Sequence, residues 1–281
     1  MSAAEAAGPG PRGVALACES VGFVYPDGTQ ALEAVDLAVA PGARVALVGQ
    51  NGSGKSTLVR HFNGLLRATR GRVMVDGREV GVRHVAELAR LVGVVFQNPD
   101  RQIFSGRVRA EVAFGARNVG LSGHALEERV VAALTTVGLE SNIDDNPYDL
   151  GYSKRKLLAL ASILAMETPA VVLDEPTTGQ DARGVARVQA IVTGLASAGR
   201  TVIAISHDMR FVAETFERVV VMRAGMVVLD GSPAEVFAEP SWPVLASTYL
   251  EPPLAARVGA AAGLGSTPSE SSLIEGLAAR A

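Results

Sequence analysis

The chain has 281 residues, of which 48% are hydrophobic and 20% charged, a composition that suits a folded core and excludes wholesale disorder. Its net charge of −3 and its aromatic content of 5% provide neither the basic field nor the stacking platforms that favour nucleic acid as a partner. The single cysteine, Cys18, excludes an internal disulfide and a multi-cysteine metal site and favours a reducing compartment.

No segment predicts a membrane-spanning helix, although the mean hydropathy of +0.25 is high. The longest uncharged apolar stretch, residues 157–166, has about half of the roughly 20 residues that a spanning helix needs. Residues 1–12 lack a basic segment followed by an apolar core, so we predict no signal peptide. A function at a membrane would therefore require a membrane partner.

Short apolar stretches separated by turn residues follow a flexible N-terminus predicted at residues 1–13. The elements predicted in this half are strands at 14–24, 32–40 and 44–48, a helix at 58–66, a hairpin at 71–80 and a strand at 92–96. Residues 98–161 are richer in Arg, Glu and Ala, and their apolar positions have helical spacing. This change in composition and spacing predicts a helical insertion.

Strands and helices alternate again in the second half of the chain. The predicted elements are a strand at 170–173, a helix at 183–196, a strand at 201–205, a helix at 209–215 and a hairpin formed by 218–222 and 226–229. Alternation of this kind predicts an α/β domain with buried parallel strands. The small, polar tail from residue 259 predicts partial disorder, with one weak helix near 273–280.

Residues 49–57 (GQNGSGKST) fit the pattern G-x-x-x-x-G-K-[ST] between a predicted strand and a predicted helix. Glycines let successive N–H groups surround phosphate oxygens, and the helix start adds its positive end. Lys55 is expected to reach the β- and γ-phosphates, and the Ser56 hydroxyl to ligate Mg²⁺. The residues predicted to bind a nucleoside triphosphate are Gly49, Asn51, Gly52, Ser53, Gly54, Lys55, Ser56 and Thr57.

Polar residues follow three other apolar strands, where parallel strands deliver side chains to such a site. Asp174 is expected to hold Mg²⁺ through water, and Glu175 to polarise the attacking water, although two acids can also simply end a strand. His207 could hydrogen-bond the γ-phosphate and the attacking water, or be a structural histidine. Taken alone, Gln97 reads as a surface glutamine.

Together these residues resemble the nucleotide-binding subunits of ABC transporters over about residues 16–237. The resemblance implies a P-loop NTPase (RecA-like) core with an antiparallel β subdomain and an inserted α-helical subdomain. It places an ATP-binding domain at 14–240, with the helical subdomain at about 98–161, and a C-terminal extension at 241–281. Gln97 corresponds to the glutamine that ligates Mg²⁺ and links the site to the membrane partner, and His207 to the switch histidine.

Tyr25 falls where such proteins carry an aromatic side chain that stacks on adenine, with local packing in its turn as the less favoured alternative. Three further segments resemble the ATPases of energy-coupling factor (ECF) transporters for vitamins, cobalt or nickel: residues 97–104 (QNPDRQIF), 111–115 (EVAFG) and 177–181 (TTGQD). This resemblance implies a second ABC ATPase subunit, identical or different, a transmembrane coupling protein docked around 98–104, and a substrate-capture membrane protein. It also implies a peripheral position on the cytoplasmic face of the membrane.

The chain departs from the family at the signature, where a Leu-Ser-Gly-Gly-Gln segment of one subunit meets ATP held by the other. The residues at that position are Leu150, Gly151, Tyr152, Ser153 and Lys154. Tyr152 puts a ring where a glycine lets backbone N–H groups approach the phosphate. Ser153 could cap the following helix, and the charges at 154–156 could compensate. Both a tolerated variant and an impaired signature are open.

Three functions remain in competition. The first is an ATPase that powers solute uptake through membrane partners. The second is a nucleotide-gated subunit of an asymmetric ATPase pair, in which the site completed by Gly151–Lys154 hydrolyses slowly. The third, a soluble ABC-type ATPase acting on DNA or ribosomes, is disfavoured by the charge of −3 and by the segment 97–104.

Overall fold

The computed structural model describes residues 12–280, so the predicted flexible N-terminus lies almost entirely outside the described residues. The strands within this stretch form a four-stranded and a six-stranded sheet. In chain order they are β1 (Leu16–Val24), β2 (Gln30–Val39), β3 (Arg44–Val48), β4 (Arg70–Val75), β5 (Arg78–Glu79), β6 (Val92–Val95), β7 (Ala170–Asp174), β8 (Thr201–Ile205), β9 (Arg218–Arg223) and β10 (Met226–Gly231).

The six-stranded sheet has the order β10-β9-β3-β8-β7-β6, with parallel pairing from β9 through β6 and β10 antiparallel at one edge. Its central strands β7 and β8 are short, and apolar except for Asp174 and Thr201 at their ends, because both faces of the sheet are covered. In β3, Val45 and Leu47 face one core, while Ala46 and Val48 face the other. The predicted α/β class with a parallel sheet is confirmed.

The four-stranded sheet, of order β2-β1-β4-β5, is antiparallel and packs over one face of the parallel sheet. Strand β2 alternates inward Leu32, Val35, Leu37 and Val39 with outward polar residues, the pattern of a strand with one buried face. The hairpin predicted at 71–80 is the pair β4–β5, which turns at Asp76 and Gly77.

Helices lie on both faces of the parallel sheet, and several more form the C-terminal part of the chain. They are α1 (Lys55–Phe62), α2 (Val85–Ala89), α3 (Val108–Asn118), α4 (Gly123–Val137), α5 (Tyr152–Leu164), α6 (Ala182–Ser197), α7 (Met209–Thr215), α8 (Pro233–Val236), α9 (Trp242–Ala246), α10 (Leu254–Ala261) and α11 (Glu270–Ala278). Between residues 12 and 280, none of them combines the length and the apolar character that crossing a membrane requires.

Helices α3, α4 and α5 pack on one another and form what we call the helical layer, in the region predicted to be a helical insertion. Their buried residues join the core under the parallel sheet, where Leu157, Leu158 and Leu164 of α5 meet Val171 and Leu173 of β7. The helical layer is thus continuous with the core that supports the parallel strands.

The C-terminal extension is helical where the sequence predicts partial disorder. Ser269 begins α11 with a capping box, in which its hydroxyl accepts from the Ser272 backbone N–H while the Ser272 side chain accepts from the Ser269 N–H. Arg210 of α7 also pairs with Glu270 at 3.0 Å. The low-complexity composition of this tail therefore hides a capped helix that contacts the rest of the chain.

Candidate functional site

The ends of four adjacent parallel strands deliver the polar residues singled out in the sequence to one place. Lys55 follows β3, Gln97 follows β6, Glu175 follows β7 and His207 follows β8. They line a cavity of about 330 Å³ at the carboxyl edge of the sheet. Its lining includes Tyr25, Asn51, Gly52, Gly54, Lys55, Ser56, Thr57, Gln97, Asp174, Glu175 and His207.

The glycine-rich loop has a backbone that only glycine tolerates at two positions. Gly49 has φ +141°, and a Cβ there would lie 2.1 Å from the carbonyl oxygen of Met222. Gly54 has φ +100°, and a Cβ there would lie 2.6 Å from the Ala31 carbonyl oxygen. Gly54 is also the N-cap of α1, so the loop leads directly into the positive end of that helix.

The Lys55 ammonium lies inside this loop. Its Nζ donates to the carbonyl oxygens of Gly49 at 2.7 Å and Gln50 at 2.8 Å, and to Ser53 Oγ at 3.2 Å. Burial lowers the pKa of Lys55, while Glu175 and Asp174 oppose that shift. Ser53 is fully buried under the loop, so its contribution is to hold the lysine in place. The result is a concentrated positive site suited to a phosphate group.

A set of hard oxygen donors faces the same cavity: the Ser56 hydroxyl, the Asp174 carboxylate and the Gln97 amide. Burial raises the pKa of Asp174, and the side chain of Ser56 opposes that shift. Within residues 12–280 no group of three His, Cys, Asp or Glu side chains is clustered as a metal site. One carboxylate with neutral oxygen donors fits Mg²⁺, which keeps waters and shares its coordination with phosphates.

Glu175 is held by several contacts in a conformation that is uncommon for a side chain larger than glycine. Its φ is +53°, and its N–H donates to the Ile205 carbonyl at 2.9 Å. His207 Nε2 lies 3.0 Å from Glu175 Oε1, and the His207 N–H donates to Oε2 at 3.3 Å. Burial raises the pKa of Glu175 to about 6 and lowers that of His207. Such strained, buried acids cluster at functional sites.

The sequence reading missed Lys156 as part of this site. The residue is 3% exposed, and its Nζ donates to the backbone carbonyl of Glu175. Burial lowers the pKa of Lys156 to about 8. The pattern that could have indicated its burial is a lysine at the start of an apolar helical run. We instead grouped Lys156 with Lys154 and Arg155 as compensating charge at the signature.

Tyr25 lines one wall of the cavity, and its hydroxyl lies 2.9 Å from Thr57 Oγ1. Its ring is edge-on to Phe23, with centroids 4.8 Å apart. The aromatic residue and the phosphate loop, which are 32 residues apart in the sequence, are therefore in direct contact.

The variant signature lies outside this cavity and is bound to its own chain. Helix α5 begins at Tyr152 with Gly151 as its N-cap, so the prediction that Ser153 caps the helix is wrong. Ser153 lies in the first turn, where its Oγ donates to Gln180 Oε1 at 2.7 Å, and Gln180 Nε2 donates to the Ser153 carbonyl at 3.1 Å. The hydroxyl of Tyr152 donates to the Gln97 carbonyl at 3.5 Å.

The positive side chains at 154–156, predicted to offer compensating charge at the signature, each contact other residues of the chain. Lys154 Nζ donates to Asn142 Oδ1 at 3.2 Å, and Arg155 pairs with Asp100 at 3.0 Å. Lys156 is buried against Glu175, as described above. The start of α5 is therefore fastened to three other segments of its own chain.

Comparisons with known proteins give the family of this chain. A family model described as ABC transporter matches residues 32–178. The energy-coupling factor transporter ATP-binding protein EcfA of Methanocaldococcus jannaschii is 42% identical over 77% of this chain and 78% of that protein. A putative ABC transporter ATP-binding protein of Methanothermobacter marburgensis is 40% identical over 78% of this chain and 80% of the relative. The structure of cbiO1 from Clostridium perfringens, part of the ABC transporter complex cbiONQ, matches with a TM-score of 0.73 and 35% identity, covering 88% of this chain and 98% of that one.

The parallel sheet, the glycine loop and the carboxylates at the strand ends define an ATP-hydrolysing P-loop protein. Because the family model matches just over half of the chain and relatives exceed 40% identity, the chain belongs to the ABC transporter family. It is an ABC-type ATPase, and both the predicted family and the predicted fold class are confirmed.

Proposed function

We propose that this ATPase binds ATP with Mg²⁺ in the 330 Å³ cavity and couples its hydrolysis to solute uptake through an ECF-type transporter. The observation that carries the catalytic part is the convergence of Lys55, Gln97, Glu175 and His207 from four neighbouring strands. The relatives named as energy-coupling factor ATPases support the transport part.

Binding is assigned to the residues that face the cavity. The N–H groups of the loop and the Lys55 ammonium hold the phosphates, and the Tyr25 ring stacks on adenine. The oxygens of Ser56, Asp174 and Gln97 hold Mg²⁺, which neutralises phosphate charge when bound. Gly49 and Ser53 act from beneath the loop, where Gly49 allows its path and Ser53 positions the lysine.

Hydrolysis is assigned to Glu175 with His207 beside it. With a pKa of about 6, the Glu175 carboxylate is ionised at neutral pH and can polarise a water molecule for attack on the γ-phosphate. His207, 3.0 Å from that carboxylate, orients it and donates toward the phosphate. Replacing Glu175 by Gln tests the assignment, because nucleotide binding should persist while turnover is lost.

A groove next to the site supports docking of a transmembrane coupling protein. It lies between β6 and helices α2, α3 and α5, with a volume of about 310 Å³ and a predominantly apolar lining. Phe104 is 59% exposed, Phe114 is 48% exposed, and their rings meet edge to face at 4.8 Å. Paired exposed aromatics of this kind are typical anchors for a partner helix.

The groove is connected to the ATP cavity through Gln102. Its Oε1 accepts from the Phe96 N–H at 3.1 Å, and its Nε2 donates to the Ala159 carbonyl at 2.8 Å. Phe96 immediately precedes Gln97, which lines the ATP cavity. A helix bound in the groove could therefore move the segment that contains Gln97 through its contact with Gln102.

Docking is tested by the double substitution Phe104→Ala and Phe114→Ala, with Leu254→Ala as the matched control. Leu254 is 72% exposed on α10, away from the groove. From detergent-solubilised membranes, the wild type and the control should co-purify with a transmembrane coupling protein, whereas the double variant should not. Equal recovery by the folded double variant would contradict the proposed groove, and recovery only with ribosomes or nucleic acid would contradict the transport function.

The same proposal places the chain at the cytoplasmic face of the membrane, paired with a second ABC ATPase and assembled with a substrate-capture protein. Relatives named EcfA and the cbiO1 structure, which belongs to a multicomponent transporter, support this assembly. Size-exclusion chromatography with light scattering should show dimerisation when ATP is added to the Glu175→Gln variant.

The alternative is a weakly hydrolysing subunit of an asymmetric pair, and the variant signature favours it. The Tyr152 ring packs against Gly179, where a Cβ would lie 2.9 Å from Tyr152 Cδ1. A ring at this position lies beside the N-terminus of α5, whose N–H groups would face a partner's nucleotide.

Tyr152→Gly separates the two proposals. An impaired signature predicts a several-fold rise in ATP turnover when the ring is removed, whereas a tolerated variant predicts no rise. Tyr249→Gly is the matched control, because Tyr249 is 85% exposed and its φ of +55° accepts glycine. In a pair formed with a different ATPase, Glu175→Gln placed in this subunit alone shows which of the two sites hydrolyses ATP. Near-full turnover of that pair would contradict hydrolysis at the site formed by this chain's own phosphate loop.

A further inference from the structure

The segment between β7 and α6, residues 175–181, is joined to the start of α5 by two hydrogen bonds that have no role in the proposed function. Ser153 Oγ donates to Gln180 Oε1 at 2.7 Å, and Gln180 Nε2 donates to the Ser153 carbonyl oxygen at 3.1 Å. We call this pair of bonds the Gln180 clasp. Because a carbonyl oxygen only accepts, the Gln180 amide can satisfy both bonds in one orientation only.

Gly184, in the first turn of α6, provides the space that the Gln180 side chain occupies. A Cβ at Gly184 would lie 2.4 Å from Gln180 Oε1 and 3.0 Å from Gln180 Cβ. The backbone of Gly184 is helical, so no positive φ requires glycine there. Glycine weakens a helix relative to alanine, and at this position its missing side chain leaves room for the clasp.

Short-range hydrogen bonds connect the clasp to Glu175 along the segment. The Gln180 N–H donates to the Thr177 carbonyl at 3.1 Å, and the Thr178 N–H donates to the Glu175 carbonyl at 3.3 Å. The Thr178 hydroxyl also donates to Glu175 Oε2 at 3.4 Å. A displacement of Gln180 is therefore transmitted through two overlapping turns to Glu175.

The first turn of α5 holds both ends of this segment. Ser153 and Lys156 are three residues apart and so lie on one face of the helix. Ser153 holds Gln180 at one end, and Lys156 donates to the Glu175 carbonyl at the other. Glu175 has φ +53°, a conformation that persists only where the surroundings hold it.

We propose that Gln180 is a positioning residue for ATP hydrolysis, which rests on the proposed role of Glu175 as the base. With the clasp closed, the segment keeps the Glu175 carboxylate beside His207. With the clasp open, Lys156 alone holds the segment, and the carboxylate spends less time in the geometry that attack requires. Neither Gln180 nor Ser153 lines the ATP cavity, so the clasp acts on turnover and not on binding of the nucleotide by this chain.

The first test is steady-state ATPase of the full chain with Gln180→Met, which keeps the length of the side chain and removes both hydrogen bonds. The kcat should fall about 3- to 10-fold, while the KM for ATP and the affinity for a fluorescent ATP analogue stay within about twofold. Gln189→Met is the matched control and should leave kcat unchanged. Gln189 lies further along α6, donates to Glu214 at 3.1 Å and does not line the ATP cavity.

The second test changes the other partner of the clasp. Ser153→Ala removes the hydroxyl and should lower kcat about 2- to 5-fold, whereas Ser153→Thr keeps a hydroxyl donor and should retain kcat within about twofold. The double variant Ser153→Ala with Gln180→Met should lose no more than Gln180→Met alone, because the two side chains form a single contact.

The third test opens the clasp without changing either partner. The Cβ of Gly184→Ala displaces the Gln180 amide, so kcat should again fall about 3- to 10-fold. The urea midpoint should stay close to that of the wild type, since the gain in helix propensity offsets the lost hydrogen bonds. Gly194→Ala is the matched control on the same helix, where a Cβ meets nothing within 4 Å, and it should leave kcat unchanged.

Turnover of Gln180→Met or Gly184→Ala within about twofold of the wild type would overturn the proposal. A rise in KM as large as the fall in kcat would do so too, as would a loss in the double variant equal to the product of the two single losses. A loss confined to Ser153→Ala would instead assign the Ser153 hydroxyl to a nucleotide of a partner subunit. Glu175→Gln separates these outcomes from the proposed function, because turnover retained in that variant excludes Glu175 as the base whatever Gln180 does.

Discussion

Replacing Lys156 by Met should abolish most ATP turnover while leaving stability nearly unchanged. The lysine is buried and donates to the carbonyl of Glu175, a residue whose φ of +53° needs support from its surroundings. A charge-assisted hydrogen bond contributes about 1.5–3 kcal/mol. If that contact positions Glu175 for attack, its loss lowers the rate by roughly 10- to 100-fold.

Stability responds differently because a second effect opposes the lost hydrogen bond. Burial lowers the pKa of Lys156 from 10.5 to about 8, so the charged form carries a penalty in the folded state. After a discount for partial contact with solvent, that penalty is about 2 kcal/mol at pH 7. Methionine removes both the penalty and the hydrogen bond, so the free energy of unfolding should change by less than about 1 kcal/mol.

The pH dependence gives an independent check, because a base with a lowered folded pKa binds fewer protons in the folded state. Stability of the wild type should therefore rise between pH 8 and 10.5 relative to the variant. The charge of Lys156 also lowers the pKa of Glu175, so its removal should move the acid limb of the ATPase profile upward.

The assays are steady-state ATPase against pH and urea unfolding at pH 7 and 9.5, with Arg78→Met as the control for loss of a positive charge. Arg78 is exposed on β5 and does not line the ATP cavity, so its loss should leave turnover and the acid limb in place. Turnover of Lys156→Met within threefold of the wild type, with an unmoved acid limb, would refute the positioning role of Lys156.

Three further outcomes are expected. Glu175→Gln should retain binding of a fluorescent ATP analogue and lose at least about 100-fold in ATP turnover. Turnover comparable with that of the wild type would exclude Glu175 as the base. Wild-type turnover should fall about tenfold per unit below pH 6, where Glu175 becomes protonated, and a flat profile from pH 5 to 7 would contradict its raised pKa. Gly49→Ala should lower the free energy of unfolding by about 3 kcal/mol or more, because its Cβ would overlap the Met222 carbonyl. The control Gly106→Ala has open space around its Cβ and should change the free energy of unfolding by less than about 0.5 kcal/mol. Equal urea midpoints for the two variants would refute the steric argument.

Much of the ATP cavity could be predicted because its parts are short segments with local signatures. A glycine loop between a strand and a helix, and two acids at the end of an apolar strand, have physical reasons that need no tertiary information. The glycine loop predicts a helix start near Gly54, and α1 begins at Lys55, whereas the apolar spacing by itself begins only at residue 58. The first turn of α1 belongs to the phosphate loop, so it lacks the apolar spacing that marks the later part of this helix.

Contacts that depend on three-dimensional packing could not be predicted. Lysine is seldom buried, so no sequence pattern predicts that Lys156 lies beneath Glu175. Ser153 is of a residue type preferred at the N-cap of a helix, but Gly151 occupies that position. The Ser153 hydroxyl instead forms a hydrogen bond with Gln180. The apolar groove combines β6, α2, α3 and α5, which no local pattern relates.

The contact between Tyr152 and Gly179 has a consequence for how this chain and its relatives can change over time. Gly179 has φ +76°, and any Cβ there would meet the Tyr152 ring at 2.9–3.0 Å. The ring thus blocks replacements at 179, while a glycine at 152 would release that restriction. Across an alignment of relatives, we expect non-glycine residues at 179, mainly Asn or Asp, to occur only where position 152 is small, so that the two positions change as a linked pair.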